Sequence, residues 1–259
     1  MSVPFIEMRG VSKRFGAVTA LSDVTITLPK AGVLGLVGDN AAGKSTLMKI
    51  LSGAILPDRG EILIDGMPVD YVHPIGAREA GIEMIYQDFA LVPELTVAQN
   101  IFLGREPTRS FAGLKVLDRA AMNTRAAEMF GALGLRVPAV TLEVQALSGG
   151  QQQAVAIARA TGFNARLVIM DEPTANLGAP AIEKVRETIL RLKRNGVGVI
   201  IISHRLEDIF SVGDAFVIMK QGRVVGRRAV DDTESGEIVE MIVTGRDPRE
   251  TTQAPTEDA

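Results

Sequence analysis

The chain has 259 residues, of which 46% are hydrophobic and 4% aromatic, and its formal net charge is −3. This length suits one or two domains with a buried core, and the slight acidity argues against a protein that binds nucleic acid mainly through charge. The absence of cysteine excludes disulfides, thiolate metal sites and cysteine nucleophiles, and no apolar run approaches the ~20 residues that a membrane-spanning helix needs.

Short apolar runs predict strands along the chain. Residues 5–8 and 24–28 alternate in the manner of half-buried strands, and residues 61–66 predict a strand that ends in a turn. Continuous apolar runs predict strands covered by helices on both faces of a parallel sheet, and these lie at 33–37, 167–170 and 199–202. Residues 215–219 and 223–225 flank a Lys-Gln-Gly sequence and predict a hairpin.

Helical patterns occupy residues 44–51, 119–133, 150–160 and 180–194. The segment from about 96 to 163 is mostly helical in pattern, whereas strands predominate on either side of it. The sequence therefore predicts one α/β domain over residues 1–245, with a core at about 1–95 and 164–230 and a helical insertion at about 96–163. Residues 246–259 are polar and predict a disordered tail.

One glycine-rich segment fits the G-x-x-x-x-G-K-[ST] pattern of a phosphate-binding loop. It follows a predicted buried strand and opens a predicted helix, as that motif requires; an ordinary glycine-rich turn is the alternative. The glycines let successive backbone N–H groups point inward, so that the loop and the helix N-terminus can hold an anion. The lysine then reaches the β- and γ-phosphates, and the serine can bind Mg²⁺. The segment consists of Gly38, Asp39, Asn40, Ala41, Ala42, Gly43, Lys44 and Ser45.

Polar side chains end two of the other apolar strands. Asp171 and Glu172 follow the strand at 167–170, and His204 follows the strand at 199–202 after one serine. Beside a phosphate loop, we expect Asp171 to hold Mg²⁺, Glu172 to orient or deprotonate the attacking water, and His204 to face the γ-phosphate. A solvated turn is the alternative for the acidic pair, and a surface histidine is the alternative for His204.

The segment Leu147-Ser148-Gly149-Gly150-Gln151 begins the helix predicted at 150–160. Ser148 and Gln151 have the spacing of a capping box, and a capped helix N-terminus with two glycines can also bind an anion. With the phosphate loop and the Asp171-Glu172-Pro173 sequence, this segment closely resembles the ATP-binding-cassette (ABC) ATPases, over residues 5–246 or nearly the whole chain.

That resemblance implies a P-loop NTPase (RecA-like) α/β core, an antiparallel β subdomain and a helical insertion subdomain. It implies that Phe15 stacks on adenine, that Thr46 joins the nucleotide-binding loop, and that Gln87 touches Mg²⁺ and senses a membrane partner. It also implies that two cassettes form a homodimer around two ATP molecules. Ser148, Gly149, Gly150 and Gln151 of one subunit then contact the nucleotide that is held by the other.

The sequence departs from most relatives at two positions, Ala41 and Gly178, where glycine and aspartate are usual. The segment Thr174-Ala175-Asn176-Leu177-Gly178 is similar to that of simple-sugar importers, as are residues 84–91, 95–106 and 201–210. A single set of motifs resembles the shorter, fructose-type members of that subfamily. The implied partners are integral membrane permeases and, indirectly, a periplasmic or extracellular solute-binding protein. The implied location is the cytoplasmic face of the inner membrane.

Two alternatives compete with a sugar-import ATPase. One is a cassette for amino acids, another small solute or an exporter. The other is a soluble cassette that acts on ribosomes or DNA, which residues 104–147 disfavour because they are too short for a coiled-coil arm. A non-periodic apolar stretch within 87–101 predicts a loop on which a permease helix docks; packing between the core and the insertion is its alternative.

Overall fold

The computed structural model of the chain describes residues 3–71, 73–175 and 177–251. The strands are β1 (Ile6–Phe15), β2 (Val18–Leu28), β3 (Val33–Gly38), β4 (Arg59–Ile64), β5 (Met67–Val69), β6 (Ile82–Ile85), β7 (Thr108–Phe111), β8 (Leu114–Leu117), β9 (Leu167–Asp171), β10 (Gly198–Ile202), β11 (Ala215–Lys220) and β12 (Arg223–Ala229). The helices are α1 (Lys44–Leu51), α2 (Pro74–Glu79), α3 (Val97–Phe102), α4 (Arg119–Leu133), α5 (Gly149–Thr161), α6 (Ala179–Arg194), α7 (Leu206–Val212), α8 (Ser235–Thr244) and α9 (Pro248–Thr251). Short 3₁₀ turns lie at Val144–Ala146 and Val230–Asp232.

The main sheet has six strands in the order β12-β11-β3-β10-β9-β6. All of its neighbours are parallel except the β11–β12 hairpin. The central strands β3, β9 and β10 are the continuous apolar runs, and their residues are almost all buried, because helices cover the sheet on both faces.

A second, antiparallel sheet has the order β2-β1-β4-β5. The strand β1 runs to Phe15, well beyond the predicted end at residue 8. Shifts in the β1–β2 register at Val11 and Lys13 break the apolar alternation, so that the outer half of this hairpin has no period-two pattern to detect.

The helical segment forms a hydrophobic cluster of its own. Apolar side chains of α3, α4 and α5 pack together around Phe102, Met122 and Val155, separately from the two clusters on the faces of the main sheet. This segment also holds a hairpin that the helical prediction missed, β7–β8. Its two-residue turn, Ala112-Gly113, has positive φ at both positions, as a type I′ turn requires.

The predicted disordered tail begins too early. Asp247 binds the Arg228 guanidinium through both carboxylate oxygens, and Arg249 binds Glu237 at 2.8 Å. The Arg228 side chain is only 6% exposed, so these carboxylates neutralise a buried charge and hold the chain against the β11–β12 hairpin. The rest of the predicted tail, residues 252–259, lies outside the described residues. Among the described residues, no helix is long and apolar enough to span a membrane.

Candidate active site

Three of the predicted segments meet at one edge of the main sheet. The strands β3, β10 and β9 are adjacent and parallel, so their carboxyl ends lie at the same edge. The phosphate loop follows β3, Asp171 ends β9, and His204 follows β10 by two residues. The topology therefore brings the loop, the acidic pair and the histidine together.

The phosphate loop depends on its two glycines. Gly38 and Gly43 have φ values of 149° and 94°, which L side chains rarely adopt. A Cβ at Gly38 would lie 2.2 Å from the Met219 carbonyl oxygen, and one at Gly43 would lie 2.6 Å from the Ala20 carbonyl oxygen. Neither glycine can therefore be replaced without moving the neighbouring backbone.

The residues between the glycines form an exposed turn. Asp39, Asn40 and Ala41 are exposed, whereas Ala42 is buried. The Ala41 N–H donates to Asp39 Oδ1 at 3.2 Å, and Ala42 N–H donates to the Asp39 carbonyl oxygen at 3.2 Å. Ala41 lies outside the left-handed region, so its methyl group is accommodated where relatives of the resembled family have glycine.

Lys44 lies between the loop and the acidic pair. Its ammonium donates to the carbonyl oxygens of Gly38 at 2.8 Å and Asp39 at 2.7 Å. Burial lowers the pKa of Lys44, and the negative charges of Glu172, Asp39 and Asp171 oppose that shift. Ser45 and Thr46 follow on the first turn of α1.

The two carboxylates of the acidic pair have different environments. Asp171 is half-buried, and burial together with the charge of Glu172 raises its pKa against the opposing effect of Lys44. Glu172 Oε2 lies 2.7 Å from His204 Nδ1. The sequence predicted both residues at the site but did not predict that they touch.

The backbone of Glu172 is in the left-handed region, with φ of 51°. Its N–H nevertheless donates to the Ile202 carbonyl oxygen at 2.9 Å, so the strained residue is tied to β10. Strain at a non-glycine residue costs of order 1–3 kcal/mol and collects at functional sites. The left-handed conformation turns the chain sharply at Glu172, the residue whose side chain contacts His204.

The residues at this sheet edge fit a nucleoside triphosphate with Mg²⁺. The glycine loop leads directly into helix α1, which begins at Lys44 and carries Ser45 on its first turn. Asp171 ends β9 at the same edge of the sheet and offers a carboxylate. Mg²⁺ takes oxygen ligands, usually one or two carboxylates together with waters and substrate phosphates. The donor set therefore suits Mg²⁺, and the lysine suits the phosphates.

Gln87 and Phe15 lie at the margins of this site. Gln87 is exposed two residues beyond β6, whose end pairs with β9 through Ile85 and Met170, so it lies at the same sheet edge as Asp171. Phe15 is 48% exposed at the end of β1 and is therefore not a core aromatic. The Lys13 ammonium lies 5.7 Å from its ring centroid.

The predicted signature segment lies at the N-terminus of α5 and not at the sheet edge formed by β3, β10 and β9. Ser148, Gly149 and Gly150 are exposed at the N-terminus of α5, which packs within the helical cluster. The Ser148 N–H donates to Gln151 Oε1 at 2.9 Å, which is the reach-back bond of the predicted capping box. The structure of one chain thus leaves the start of α5 open to solvent.

Sequence reasoning missed two buried polar contacts near Glu172. Gln153, in α5, donates from Nε2 to the Pro173 carbonyl oxygen, and Thr174 donates from Oγ1 to Asp208. A glutamine on the buried face of an otherwise apolar helix was the available signal for the first contact. Asn176 lies outside the described residues, and Gly178 is the exposed N-cap of α6.

The sequence profile of the ABC transporter family matches residues 21–175. The chain is 47% identical over 240 residues to the ribose import ATP-binding protein RbsA 1 of Rubrobacter xylanophilus, covering 93% of this chain and 47% of that protein. It is 42% identical to the fructose import ATP-binding protein FrcA of Rhizobium meliloti, covering 95% and 97% of the two chains. It is 41% identical to the xylose/arabinose import ATP-binding protein XylG of Sulfolobus acidocaldarius, covering 92% and 94%.

The chain thus spans about half the length of the ribose import relative and nearly all of the other two. The predicted resemblance to simple-sugar importers is confirmed by these relatives.

Solved structures share the fold. The chain superposes on an ATP-binding cassette of an ABC transporter in its ADP conformation with a TM-score of 0.78, at 24% identity, covering 97% and 98% of the two chains. It superposes on a dimeric cassette in a post-hydrolysis state bound to ADP and Pi with a TM-score of 0.74, at 25% identity, covering 87% and 98%. The predicted α/β fold class, with its antiparallel and helical parts, is confirmed.

Proposed function

The chain belongs to the ABC transporter family, and from this premise we propose that it hydrolyses ATP to drive the import of a simple sugar. The observation that carries the proposal is the grouping of Lys44, Asp171 and Glu172 at one sheet edge, where the adjacent parallel strands β3, β10 and β9 bring the glycine loop and the acidic pair together. This grouping supplies a cation for phosphates, oxygen ligands for Mg²⁺ and a carboxylate for water, which phosphoryl transfer to water needs.

The nucleotide is held by the loop and by Phe15. Backbone N–H groups between Gly38 and Thr46 cradle the phosphates, and Lys44 exchanges its carbonyl partners at Gly38 and Asp39 for phosphate oxygens. The exposed ring of Phe15 stacks on the adenine. Ala20, on the strand paired with β1, lies against Gly43 and so joins this hairpin to the loop.

Ser45, Asp171 and Gln87 would hold Mg²⁺. When bound, the ion neutralises charge on the phosphate oxygens. Burial and the neighbouring charge of Glu172 raise the pKa of Asp171. A carboxylate is the hard oxygen ligand that Mg²⁺ prefers.

Glu172 positions the attacking water and accepts its proton. His204 contacts the same carboxylate at 2.7 Å and so fixes its orientation, while its exposed ring is free to face the γ-phosphate. General-base catalysis of this kind typically contributes 10²–10⁴-fold.

Two copies of the chain complete the site. Ser148, Gly149 and Gly150 are exposed and Gln151 is half-buried at the start of α5, on the helical part, so a second copy supplies them to the nucleotide held by the first. Such a twofold arrangement uses the same surface on both subunits. A dimeric state of a structural neighbour supports this proposal.

The names of the relatives support ribose, xylose, arabinose or fructose as the transported class. We propose that the cassette is bound to permeases at the cytoplasmic face of the inner membrane, and that a solute-binding protein acts through them. The permease helix docks on the loop at 87–95, which holds Ala90 and Pro93 exposed. In this proposal residues 96–163 move as the helical subdomain against a core at 1–95 and 164–230.

The Glu172→Gln variant tests the hydrolytic role. The amide keeps the shape of the side chain but cannot accept the proton, so turnover should fall ~10²–10⁴-fold while ATP still binds. With ATP the variant should elute as a dimer in size-exclusion chromatography, and Lys44→Ala in the same background should elute as a monomer. Turnover near that of the unmodified protein would exclude Glu172 as the residue that activates water.

Reconstitution tests the substrate class. The cassette, its permease and its binding protein would be placed in vesicles, and ATP hydrolysis measured with ribose, xylose, arabinose and fructose in turn. At least one of these sugars should stimulate turnover. Stimulation by amino acids instead would refute the sugar assignment and leave the ATPase assignment standing.

A further inference from the structure

One buried hydrogen bond joins the start of the signature helix to the catalytic segment of the same chain. Gln153 lies in α5, four residues beyond Gly149, and its side chain is 3% exposed. Its Nε2 donates to the carbonyl oxygen of Pro173, the residue that follows Glu172. The Pro173 carbonyl can only accept a hydrogen bond, so the contact requires the amide N–H of Gln153 and cannot be made by the side-chain oxygen.

The segment around Glu172 is held tightly on its core side. The Glu172 N–H is fixed to Ile202 in β10, and Thr174, which is 2% exposed, donates to Asp208 in α7. Asp208 also accepts from Arg186 at 3.1 Å. Glu172 and Thr174 are thus anchored to the core on either side of Pro173, and the Pro173 carbonyl is where α5 contacts this segment.

The other end of the connection is exposed. Ser148, Gly149 and Gly150 are open to solvent, and from Gly149 to Gln153 the helix rises only ~6 Å along its axis. The Ser148 carbonyl oxygen accepts from the N–H groups of Gln151 and Gln152 at 2.9 Å each, which ties the helix start to the turn that leads to Gln153. A displacement of the helix start therefore also displaces Gln153 and, through its hydrogen bond, the Pro173 carbonyl.

We propose that Gln153 is a positioning residue that makes Glu172 of one subunit respond to the ATP held by the other subunit. This inference rests on the proposed two-site ATPase dimer. When the partner's ATP draws in the start of α5, the bond from Gln153 shifts the Pro173 carbonyl and sets Glu172 for the chain's own nucleotide. Gly178 has no side chain with which to link the two sites, which leaves the Gln153 bond as a route within the chain.

A heterodimer of two differently tagged chains tests the proposal. One chain carries Glu172→Gln, so that it binds ATP without hydrolysing it, and the other retains Glu172. Gln153→Met is then placed in the first chain or in the second. Methionine matches the length of glutamine and removes the donor, and a comparison of two placements cancels any general loss of folding.

The proposal predicts that Gln153→Met lowers turnover about tenfold when it shares a chain with the intact Glu172, since small misplacement of a catalytic group costs that much or more. In the Glu172→Gln chain it should change turnover less than twofold. The matched control is Gln145→Met, an exposed glutamine that binds Glu143 beside the signature segment. This control should be neutral in both placements.

Two results would overturn the inference. A loss confined to the Glu172→Gln chain would show that Gln153 acts by presenting the signature segment to the other subunit's ATP. Equal losses in both placements would show a general structural role. If the unmodified protein hydrolyses no ATP, the proposed function itself is wrong, and that outcome is distinct from both.

Discussion

Replacement of Glu172 by glycine should stabilise the protein relative to replacement by alanine. Both variants remove the carboxylate, its contact with His204 and its repulsion of Asp171. They differ in the backbone alone, because alanine must adopt the φ of 51° that glycine adopts without steric cost. The pair therefore isolates the strain that the chain stores at this residue.

The magnitude follows from two opposing terms. A left-handed conformation costs an L-residue about 1–2 kcal/mol, whereas glycine loses about 0.4–1 kcal/mol more backbone entropy on folding than alanine. The midpoints of these two ranges differ by about 0.8 kcal/mol, so Glu172→Gly should have a free energy of unfolding higher than that of Glu172→Ala by about this amount. For a chain of this size, that difference raises the melting temperature by about 1–4 °C.

The assay is urea or thermal unfolding of the two variants without nucleotide, followed by circular dichroism. Turnover should be lost in both, which separates the stability effect from catalysis. Alanine at least as stable as glycine would refute the assignment of strain to Glu172. It would show that the residue adopts another backbone conformation in solution.

Three further predictions follow from the structure. Lys44→Ala should weaken ATP binding about 10- to 100-fold in calorimetry, because a charge-assisted contact contributes roughly 1.5–3 kcal/mol; unchanged affinity would contradict the phosphate role. Ala90→Asp should abolish co-purification with the permease and spare ATP binding, since Ala90 is exposed with φ of 44°, which aspartate tolerates. Ala112→Asp, at an exposed alanine with φ of 49°, is its control and should bind normally. Asp247→Asn should cost about 1.5–3 kcal/mol of stability at pH 7. Arg228 holds the pKa of Asp247 below its ordinary 3.8, so this difference should persist at neutral pH and disappear only as the pH falls below about 4; a difference that vanished by pH 6 would exclude Asp247 as its source.

Sequence patterns predicted the parts of the fold in which local chemistry and tertiary environment agree. The strands β3, β9 and β10 are apolar throughout because they are buried on both faces, and the phosphate loop is specified by two glycines that no other residue can replace. Because these strands are parallel, the polar residues that follow them were expected to meet at one edge of the sheet. The continuous apolar runs predict that these strands are parallel, whereas their order in the sheet, β3-β10-β9, is known only from the structure.

The hairpin β7–β8 could not be predicted in the same way. Phe111 and Leu114 are 64% and 69% exposed, so these strands have no buried face whose alternation would reveal them. The ordered segment after Gly245 was missed because its order comes from Asp247 pairing with the distant Arg228. The contact between His204 and Glu172, and the bond from Gln153 to Pro173, join residues on different strands and helices, which local periodicity does not encode.

The backbone requires glycine at Gly38 and Gly43, but it does not dictate the residue type at the two positions that depart from the family pattern, Ala41 and Gly178. Ala41 adopts an ordinary φ, so its methyl group imposes no conformational cost on the loop. Gly178 has φ of −77° and ψ of 160°, and the nearest atom to a Cβ built there is 3.9 Å away. Neither backbone geometry nor space requires a glycine at this N-cap, where aspartate is at least as favourable. The fold of the single chain therefore does not require glycine at residue 178. The effect of Gly178 is instead that this position offers no side chain to the second copy in the proposed dimer.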